Sequence, residues 1–268
     1  MDFTLLCRTM SLYISSLNSG SNGNCYYIGN DNEAVLIDAG ISCRDTERRM
    51  MRLGLQLNKV CAIFITHEHT DHTRGTEVLS RKYNIPVFIT EKTYRNSRLN
   101  IDSELVNHFS SNSPEQIGSL TVYPFPKHHD ASEPHSFTVS GNGITIGIMT
   151  DIGSSCEHVV YHLSQCNAVF LEANYDEKML EEGRYPVFLK KRIRGNDGHL
   201  SNDQALELFI THRSPQLQML ILSHLSEHNN HPKLVEDLFS GHANGTRIVI
   251  ASRYEESEVF CISHPDKE

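Results

Sequence analysis

The sequence predicts an α/β fold in a single domain, and three stretches carry that prediction. An apolar, β-branched run at 60–65 reads as a buried strand, and it is followed by a polar loop, an amphipathic helix over 73–83 with Val78 and Leu79 facing inward, and a further strand at 86–89. Strand, loop, helix, strand is the unit from which α/β domains are assembled. Apolar segments at 34–37 and 144–149 each run into an aspartate and then a glycine, Asp38 with Gly40 and Asp151 with Gly153, which hints at a duplicated half-fold. The third signal is Gly141-Asn142-Gly143 between two strand-like runs, a strong hairpin signature.

The remaining elements follow in order. Residues 11–17 and 25–28 read as strands joined by the polar loop Asn18-Ser19-Gly20-Ser21-Asn22-Gly23-Asn24, either a plain hairpin turn or a loop whose amides can approach a phosphate. Helical spacing over 45–53 carries Arg44, Arg48, Arg49 and Arg52, the pattern of a solvated face, with phosphate contact as the alternative. A short basic helix is expected over 91–98, no chemistry can be read in 100–116, and 118–125 is strand-like. A helix over 154–165 precedes a strand at 168–171. Ser201 reads as the N-cap of a helix over 202–211, and a strand at 217–222, a helix at 234–239 and strands at 247–251 and 258–262 close the chain.

Composition narrows the function classes. With 268 residues and 38% hydrophobic content the chain can bury a substantial core, and one domain over 1–268 is expected, with 1–10 as an upstream extension. A formal net charge of −9 excludes a protein that coats nucleic acid non-specifically; a nuclease of this composition must rely on a local basic patch and on metals. The seven cysteines are odd in number, form no Cys-x-x-Cys pair and lie mostly in apolar runs, which points to a reducing compartment. With no membrane-length apolar run and no signal peptide, the expected location is cytoplasmic.

The chemistry concentrates in Thr66-His67-Glu68-His69-Thr70-Asp71-His72, at the mouth of the 60–65 strand. Positions two apart project the same way in an extended chain, so His67 and His69 can converge on one point while Asp71 and His72 address a second. Four ligand-type side chains within six residues suit two metals. Imidazole and carboxylate accept Zn, Mn or Fe, and the lack of nearby thiolates argues against a closed structural zinc site. Asp151 is the candidate bridge, since one carboxylate can bind two ions with its two oxygens.

At these residues the chain resembles the metallo-β-lactamase superfamily, and Ser19-Gly20-Ser21-Asn22-Gly23-Asn24, Leu171-Glu172-Ala173-Asn174-Tyr175-Asp176 and Gly198-His199-Leu200-Ser201-Asn202 resemble its YycJ/WalJ-type exonuclease branch. The resemblance implies an αββα sandwich, two mixed β-sheets flanked by helices. It implies that Asp38, which could otherwise cap the following segment, orients metal ligands. It also implies that His129, with His128 as the alternative, supplies the third motif, and that His224 completes the second metal. The ligand sets are then His67, His69, His129 and Asp151 around one ion, and Asp71, His72, His224 and Asp151 around the other. Di-iron oxidases of this fold carry Glu where this chain has His69, so a hydrolytic site is expected.

Other polar residues read less sharply. Asp130 is expected to hold its neighbour's ring or its loop, His135 to begin a strand, and His228 and His231 to face solvent. Glu172 is a candidate orienting acid, while helix capping explains Asn174 and Asp176 equally well. The basic run at 188–195 is either a solvated helix end or a phosphate-binding edge, and His199, beside a helix start, can donate to a scissile phosphate or protonate a leaving oxygen. The expected enzyme is a dinuclear hydrolase using a hydroxide bridging two divalent metals, with Asp71 also orienting the nucleophile and with nucleic acid, DNA ahead of RNA, as substrate; the resemblance adds exonuclease action in a 5′-to-3′ sense. The alternative is a small-molecule hydrolase cleaving a thioester, lactone or similar electrophile.

Overall fold

The central strands of this chain are apolar on both faces because each sheet is covered twice, by the other sheet and by helices. The computed structural model describes residues 11–264, so the expected extension at 1–10 lies outside the described residues. The first sheet is laid down by β1 (Ser11–Asn18), β2 (Cys25–Gly29), β3 (Ala34–Ile37), β4 (Val60–Phe64), β5 (Val87–Phe88) and β6 (Val106–Asn107). The second comprises β7 (Glu115–Ile117), β8 (Leu120–Pro126), β9 (His135–Gly141), β10 (Ile144–Met149), β11 (Ala168–Glu172), β12 (Met219–Ser223) and β13 (Arg247–Ile250), after which β14 (Phe260–Ser263) returns to pair with β1. Both sheets are mixed. β14, β1, β2 and β3 pair antiparallel and β3 to β6 parallel; β7 to β10 pair antiparallel and β10 to β13 parallel.

Helices complete the four layers. Against the first sheet lie α1 (Cys43–Arg52), α2 (Thr70–Thr73), α3 (Thr76–Tyr83) and α4 (Glu91–Asn96); with the second run α5 (Glu157–Leu163), α6 (Glu177–Glu182), α7 (Val187–Arg194), α8 (Asn202–His212) and α9 (Pro232–Ser240). Alternation within each strand feeds two cores at once. In β3, Val35 and Ile37 join the layer between the sheets, while Ala34 and Leu36 join Met50 of α1 and Leu79 of α3. In β11, Ala168 and Phe170 face the other sheet, and Val169 and Leu171 pack with Leu163 of α5 and Phe209 of α8. The expected αββα sandwich is the fold.

The departures are local. The helix expected over 73–83 is broken into α2 and α3 at Gly75, whose amide is drawn to the Ala39 carbonyl at 2.7 Å. Val78, expected inward, is 54% exposed while Leu79 is fully buried, because adjacent helical positions lie about 100° apart and this short helix covers only one of them. The segment 100–116, in which no chemistry was legible, supplies the edge strands β6 and most of β7.

Tyr26 of β2 and Phe170 of β11 meet across the sheet interface, ring centroids 4.9 Å apart, and both are fully buried. Truncating Phe170→Ala should lower unfolding free energy by about 3–5 kcal/mol, read from the midpoint of denaturant unfolding; a loss below about 1 kcal/mol would show that the two sheets do not close on this ring.

Candidate metal centre

The duplicated half-fold hinted at by the two aspartates is visible in the strand pairing. Asp38 leaves β3 and Asp151 leaves β10, each at the strand where antiparallel pairing on one side meets parallel pairing on the other. Both turn out of their strands in the left-handed conformation, with φ of 60° and 54°, and His224 leaves β12 the same way at 57°. The other non-glycine residues with positive φ among those described are all asparagines, which tolerate this region readily. Strained residues of this kind, costing roughly 1–3 kcal/mol each, tend to gather at functional sites. The glycines that follow the two aspartates permit close approach. A Cβ at Gly40 would stand 1.6 Å from the Asp71 carbonyl oxygen, and one at Gly153 would stand 2.2 Å from that of Asn196.

These turns bring the separated histidines and carboxylates together. His67, His69 and His129 form one group whose nitrogens lie within 4.8 Å of one another, and Asp71, His72 and His224 form a second with the same spacing. His67, His72 and Asp151 form a third that joins them, and Asp151, Glu172, His199 and His224 a fourth. Asp151 Oδ2 stands 3.2 Å from His72 Nε2 and Oδ1 3.3 Å from His224 Nδ1, so this carboxylate sits between the two halves. The histidine pair at 128–129 is resolved in space. His129 is buried among His67, His69 and His199, whereas His128 is exposed and bonds Ser154 Oγ at 2.8 Å.

Each imidazole is fixed by what its other nitrogen touches. Asp38 Oδ2 lies 2.7 Å from His72 Nδ1, and the same carboxylate accepts from the amide and hydroxyl of Thr66. Glu172, fully buried, accepts from His199 Nδ1 and His224 Nδ1 through Oε1, both at 2.9 Å, and from the Ile152 and Leu200 amides through Oε2. His129 Nδ1 donates to the Gly198 carbonyl at 3.1 Å, and Thr66 Oγ1 lies 2.9 Å from His67 Nδ1. Such partners set the tautomer and aim of metal-binding histidines. Meanwhile His129 Nε2 and His224 Nε2 are buried with no hydrogen-bond partner among the described residues, and the buried Asp151 Oδ2 has only the approach of His72 Nε2 at 3.2 Å. Buried polar atoms are almost always satisfied. Orphaned imidazole nitrogens and a carboxylate oxygen within one cluster are the donor set a divalent cation takes.

Electrostatics divides the cluster. Burial, aided by nearby cationic groups, pushes His67 well below its ordinary value; burial likewise lowers His69 and takes His129 to about 3, so these three rings are neutral and able to ligate. In the acidic half, burial works against the charged form of His72 and His224 but is outweighed by the carboxylates, Asp151 first. His72 rises well above its usual value and His224 to about 10. Burial opposes ionisation of Asp151 and Glu172 also, yet the surrounding imidazoles prevail; Asp151 falls well below the ordinary range and Glu172 to about 2. The protons held on His72 and His224 are those that a cation would displace.

Lys127, Asn24 and Ser19 were given no role of their own in the sequence, and Asn174, expected as a helix cap, caps no helix among the described residues and holds the His224 carbonyl instead. Lys127 is buried beneath the cluster with Nζ on the Thr150 carbonyl at 2.6 Å, and burial lowers its pKa against the pull of Asp151 and its neighbours. Asn24 Nδ2 lies 3.1 Å from His72 Nε2, and Asn174 Nδ2 donates to the His224 carbonyl at 2.8 Å. Ser19 Oγ accepts from the His224 amide at 2.7 Å. An asparagine or serine in a polar loop carries no periodic signal, so only the phrases around them pointed here. The Asn18–Asn24 loop does not cradle an anion with the amides of Ser19, Gly20, Gly23 and Asn24, which are taken by Ser252, Asn24, Gly20 and Asp71.

Of the other expectations, those for the lone polar residues hold and that for the basic run changes. Asp130 holds its loop through Arg192 at 2.7 Å and leaves His129 to the Gly198 carbonyl. His135 begins β9 with Nε2 on Ser111, Asp176 caps α6, and His228 and His231 are exposed. Of the basic run, Arg192 pairs with Asp130, Arg194 with Glu177 and Glu181, and Lys190 donates to the Glu181 carbonyl, which leaves Lys191 as the one uncommitted cation of α7 among the described residues. Acids thus answer two of the four cations of this run, Asp130 for Arg192 and the α6 glutamates for Arg194. His199 does lie at the cluster, its ring 5.3 Å from both His129 and His224, and it opens onto a hollow of about 220 Å³ walled by Leu189, Arg192 and Ile193 of α7.

Residues 19–171 match the model of the metallo-beta-lactamase superfamily, more than half of the chain. This chain belongs to the metallo-beta-lactamase superfamily. Within it, the chain is 36% identical over 228 residues to "Exodeoxyribonuclease YycJ" of Bacillus anthracis, covering 84% of this chain and 86% of that one. It is 31% identical over 221 residues to "Exodeoxyribonuclease WalJ" of Streptococcus pneumoniae, covering 81% and 82%. The metallo-beta-lactamase fold protein YhfI of Bacillus subtilis superposes with a TM-score of 0.72 at 14% identity over 94% of this chain and 99% of that one, a likeness of fold. Superfamily membership and the clustered ligand-type side chains make the chain a metal-dependent hydrolase.

Because Glu172 holds two of the imidazoles, Glu172→Gln should weaken divalent-metal affinity by about 10–100-fold in competition with a chromophoric chelator, and should lower the unfolding temperature of the metal-free protein, since the new amide faces donors where both carboxylate oxygens accept. Unchanged affinity would reduce Glu172 to a packing role.

Proposed function

We propose that this chain is a metal-dependent phosphodiesterase that degrades DNA from an end, a 5′-to-3′ exodeoxyribonuclease working in the cytoplasm, where its unpaired thiols would stay reduced. Identity of 36% to a protein named as an exodeoxyribonuclease, over 84% of this chain, carries the choice of substrate class. The side-chain geometry supports the chemistry. His67, His69 and His129 would hold one divalent ion and Asp71, His72 and His224 the other, with Asp151 within reach of both. Zn or Mn suits this mixture of imidazole and carboxylate, and Fe is also compatible. When bound, such a pair of ions supplies an ionised water at neutral pH, shared between them, and positive charge for the phosphate oxygens.

The protein's own groups do the rest. Asp71, with its side chain 21% exposed at the cluster, orients the attacking water in line with phosphorus. His199 has Nδ1 committed to Glu172 and its ring at the wall of the hollow, so Nε2 is the atom that can donate to a non-bridging or leaving oxygen as charge grows there. Glu172 keeps that ring from rotating. Hydroxyl and amide groups of Ser21, Asn174 and Ser226 line the same hollow and can position a phosphate. With Arg192 and Arg194 of α7 taken by ion pairs, the metals would supply most of the attraction for an anionic substrate in a chain of net charge −9.

Incubated with 5′-phosphorylated DNA and Mn²⁺, the protein should release mononucleotides, while Asp71→Ala should lower kcat by at least about 10²-fold and EDTA should abolish turnover and lower the unfolding temperature. Cleavage of a thioester or lactone alongside inactivity on DNA and RNA would overturn the nuclease reading in favour of a small-molecule hydrolase. Binding of DNA without metal-dependent turnover would overturn both.

A further inference from the structure

A second hollow, of about 440 Å³, adjoins the one over the metal centre, and Ser226 lines both. Its wall includes Ser19, Leu225, His231, Ala251, Arg253 and Tyr254, and Ser19 is the residue whose hydroxyl holds the His224 amide. The guanidinium of Arg253 pairs with Glu227 through Nη2 at 3.1 Å, but its Nε and Nη1 are buried without a partner among the described residues. Next to it the ring of Tyr254 is 68% exposed, 5.8 Å from the Arg253 guanidinium carbon. A large exposed aromatic beside an under-satisfied arginine is a pairing of flat face and anion donor.

The loop that carries these two side chains is tied down. Asn22 donates to the Arg253 carbonyl at 2.7 Å, Arg49 to the Tyr254 carbonyl at 2.9 Å, and Arg52 grips Glu256 with two bonds of 2.6 and 2.5 Å. Of the α1 arginines that read as a solvated face, Arg44 and Arg48 are exposed as expected, while Arg49 and Arg52 brace this wall. An aromatic ring held open to solvent on a braced loop loses little conformational freedom when something stacks on it.

Resting on the nuclease reading above, we infer that this second hollow receives the DNA strand beyond the nucleotide at the metals, with a base stacked on Tyr254 and a backbone phosphate taken by Arg253, the strand crossing from one hollow to the other at Ser226. Stacking tolerates any base, and a phosphate first meets the Arg253 side chain, 14% exposed beside Glu227, then satisfies the buried Nε and Nη1 as that side chain turns toward it. Glu227 faces the same hollow and opposes an anion, but it occupies a single nitrogen and its side chain is 45% exposed at the rim.

The test separates long from short substrates. Tyr254→Ala should raise KM for a 5′-phosphorylated single-stranded decanucleotide about tenfold with kcat nearly unchanged, and should leave hydrolysis of bis(p-nitrophenyl) phosphate untouched; Tyr254→Phe should behave like the parent. Arg253→Gln should also raise KM for the decanucleotide and reduce its dependence on salt. If the parent degrades DNA and Tyr254→Ala does so with an unaltered KM, the strand-binding subsite is wrong and the nuclease reading stands. If the parent hydrolyses the small diester yet neither cleaves nor binds the decanucleotide, both fall together.

Discussion

Three carboxylates, Asp38, Asp151 and Glu172, lie in the interior at 0%, 2% and 0% exposure, and the rest of the centre is arranged around the need to compensate them. An ionised carboxylate removed from water costs several kcal/mol unless it is paired and hydrogen-bonded. Here each is answered by imidazoles. Asp38 faces His72, Glu172 faces His199 and His224, and Asp151 sits between His72 and His224. The same contacts that make the charges tolerable aim the remaining ring nitrogens into one place, so charge compensation and site construction are one arrangement.

The backbone makes that arrangement affordable in space. Asp38, Asp151 and His224 each leave a strand in the left-handed conformation, which turns the side chain back over the sheet end. Their loops are then stitched across the sheets. The amides of Ala39 and Gly40 reach the carbonyls of His72 and Asn24, the Gly153 amide reaches the His128 carbonyl, and that of Ala173 reaches the Ser223 carbonyl. Strain at three residues is balanced by cross-loop hydrogen bonds and by the two-sided packing of the strands beneath. A site assembled on strand ends of two packed sheets is held more rigidly than one assembled on loops alone, which suits a reaction that depends on charges fixed before the substrate arrives.

The substrate side is built differently. Few cations are free near the centre, since α7 spends Arg192 and Arg194 on neighbouring acids and Lys127 is buried on a backbone carbonyl. On the nuclease reading, recognition of a polyanion would fall to the metals, to the polar lining around Ser226 and to the braced loop of Arg253 and Tyr254. A chain of net charge −9 repels an extended polyanion, so a few fixed contacts at one place disfavour indiscriminate coating of a duplex.

How much of this was written in the sequence can be judged residue by residue. Local pattern alone determined the strand before His67, the Gly141–Gly143 hairpin, the Ser201 cap and the paired Asp-x-Gly turns, because strand alternation, turn chemistry and capping are fixed by neighbours a few positions away. It also brought His67, His69, Asp71 and His72 into view as one spaced group. What only the tertiary structure decided was everything that depends on charge meeting charge over long separations: that Glu172 clamps His199 and His224, that His129 and not its neighbour points into the cluster, that Lys127 is buried, and that Arg49, Arg52 and Arg192 are taken by distant acids or carbonyls. A side chain's partner across 20 or more residues leaves no periodic trace in the chain. It is chosen by how two sheets pack, and that choice is made by the whole core at once.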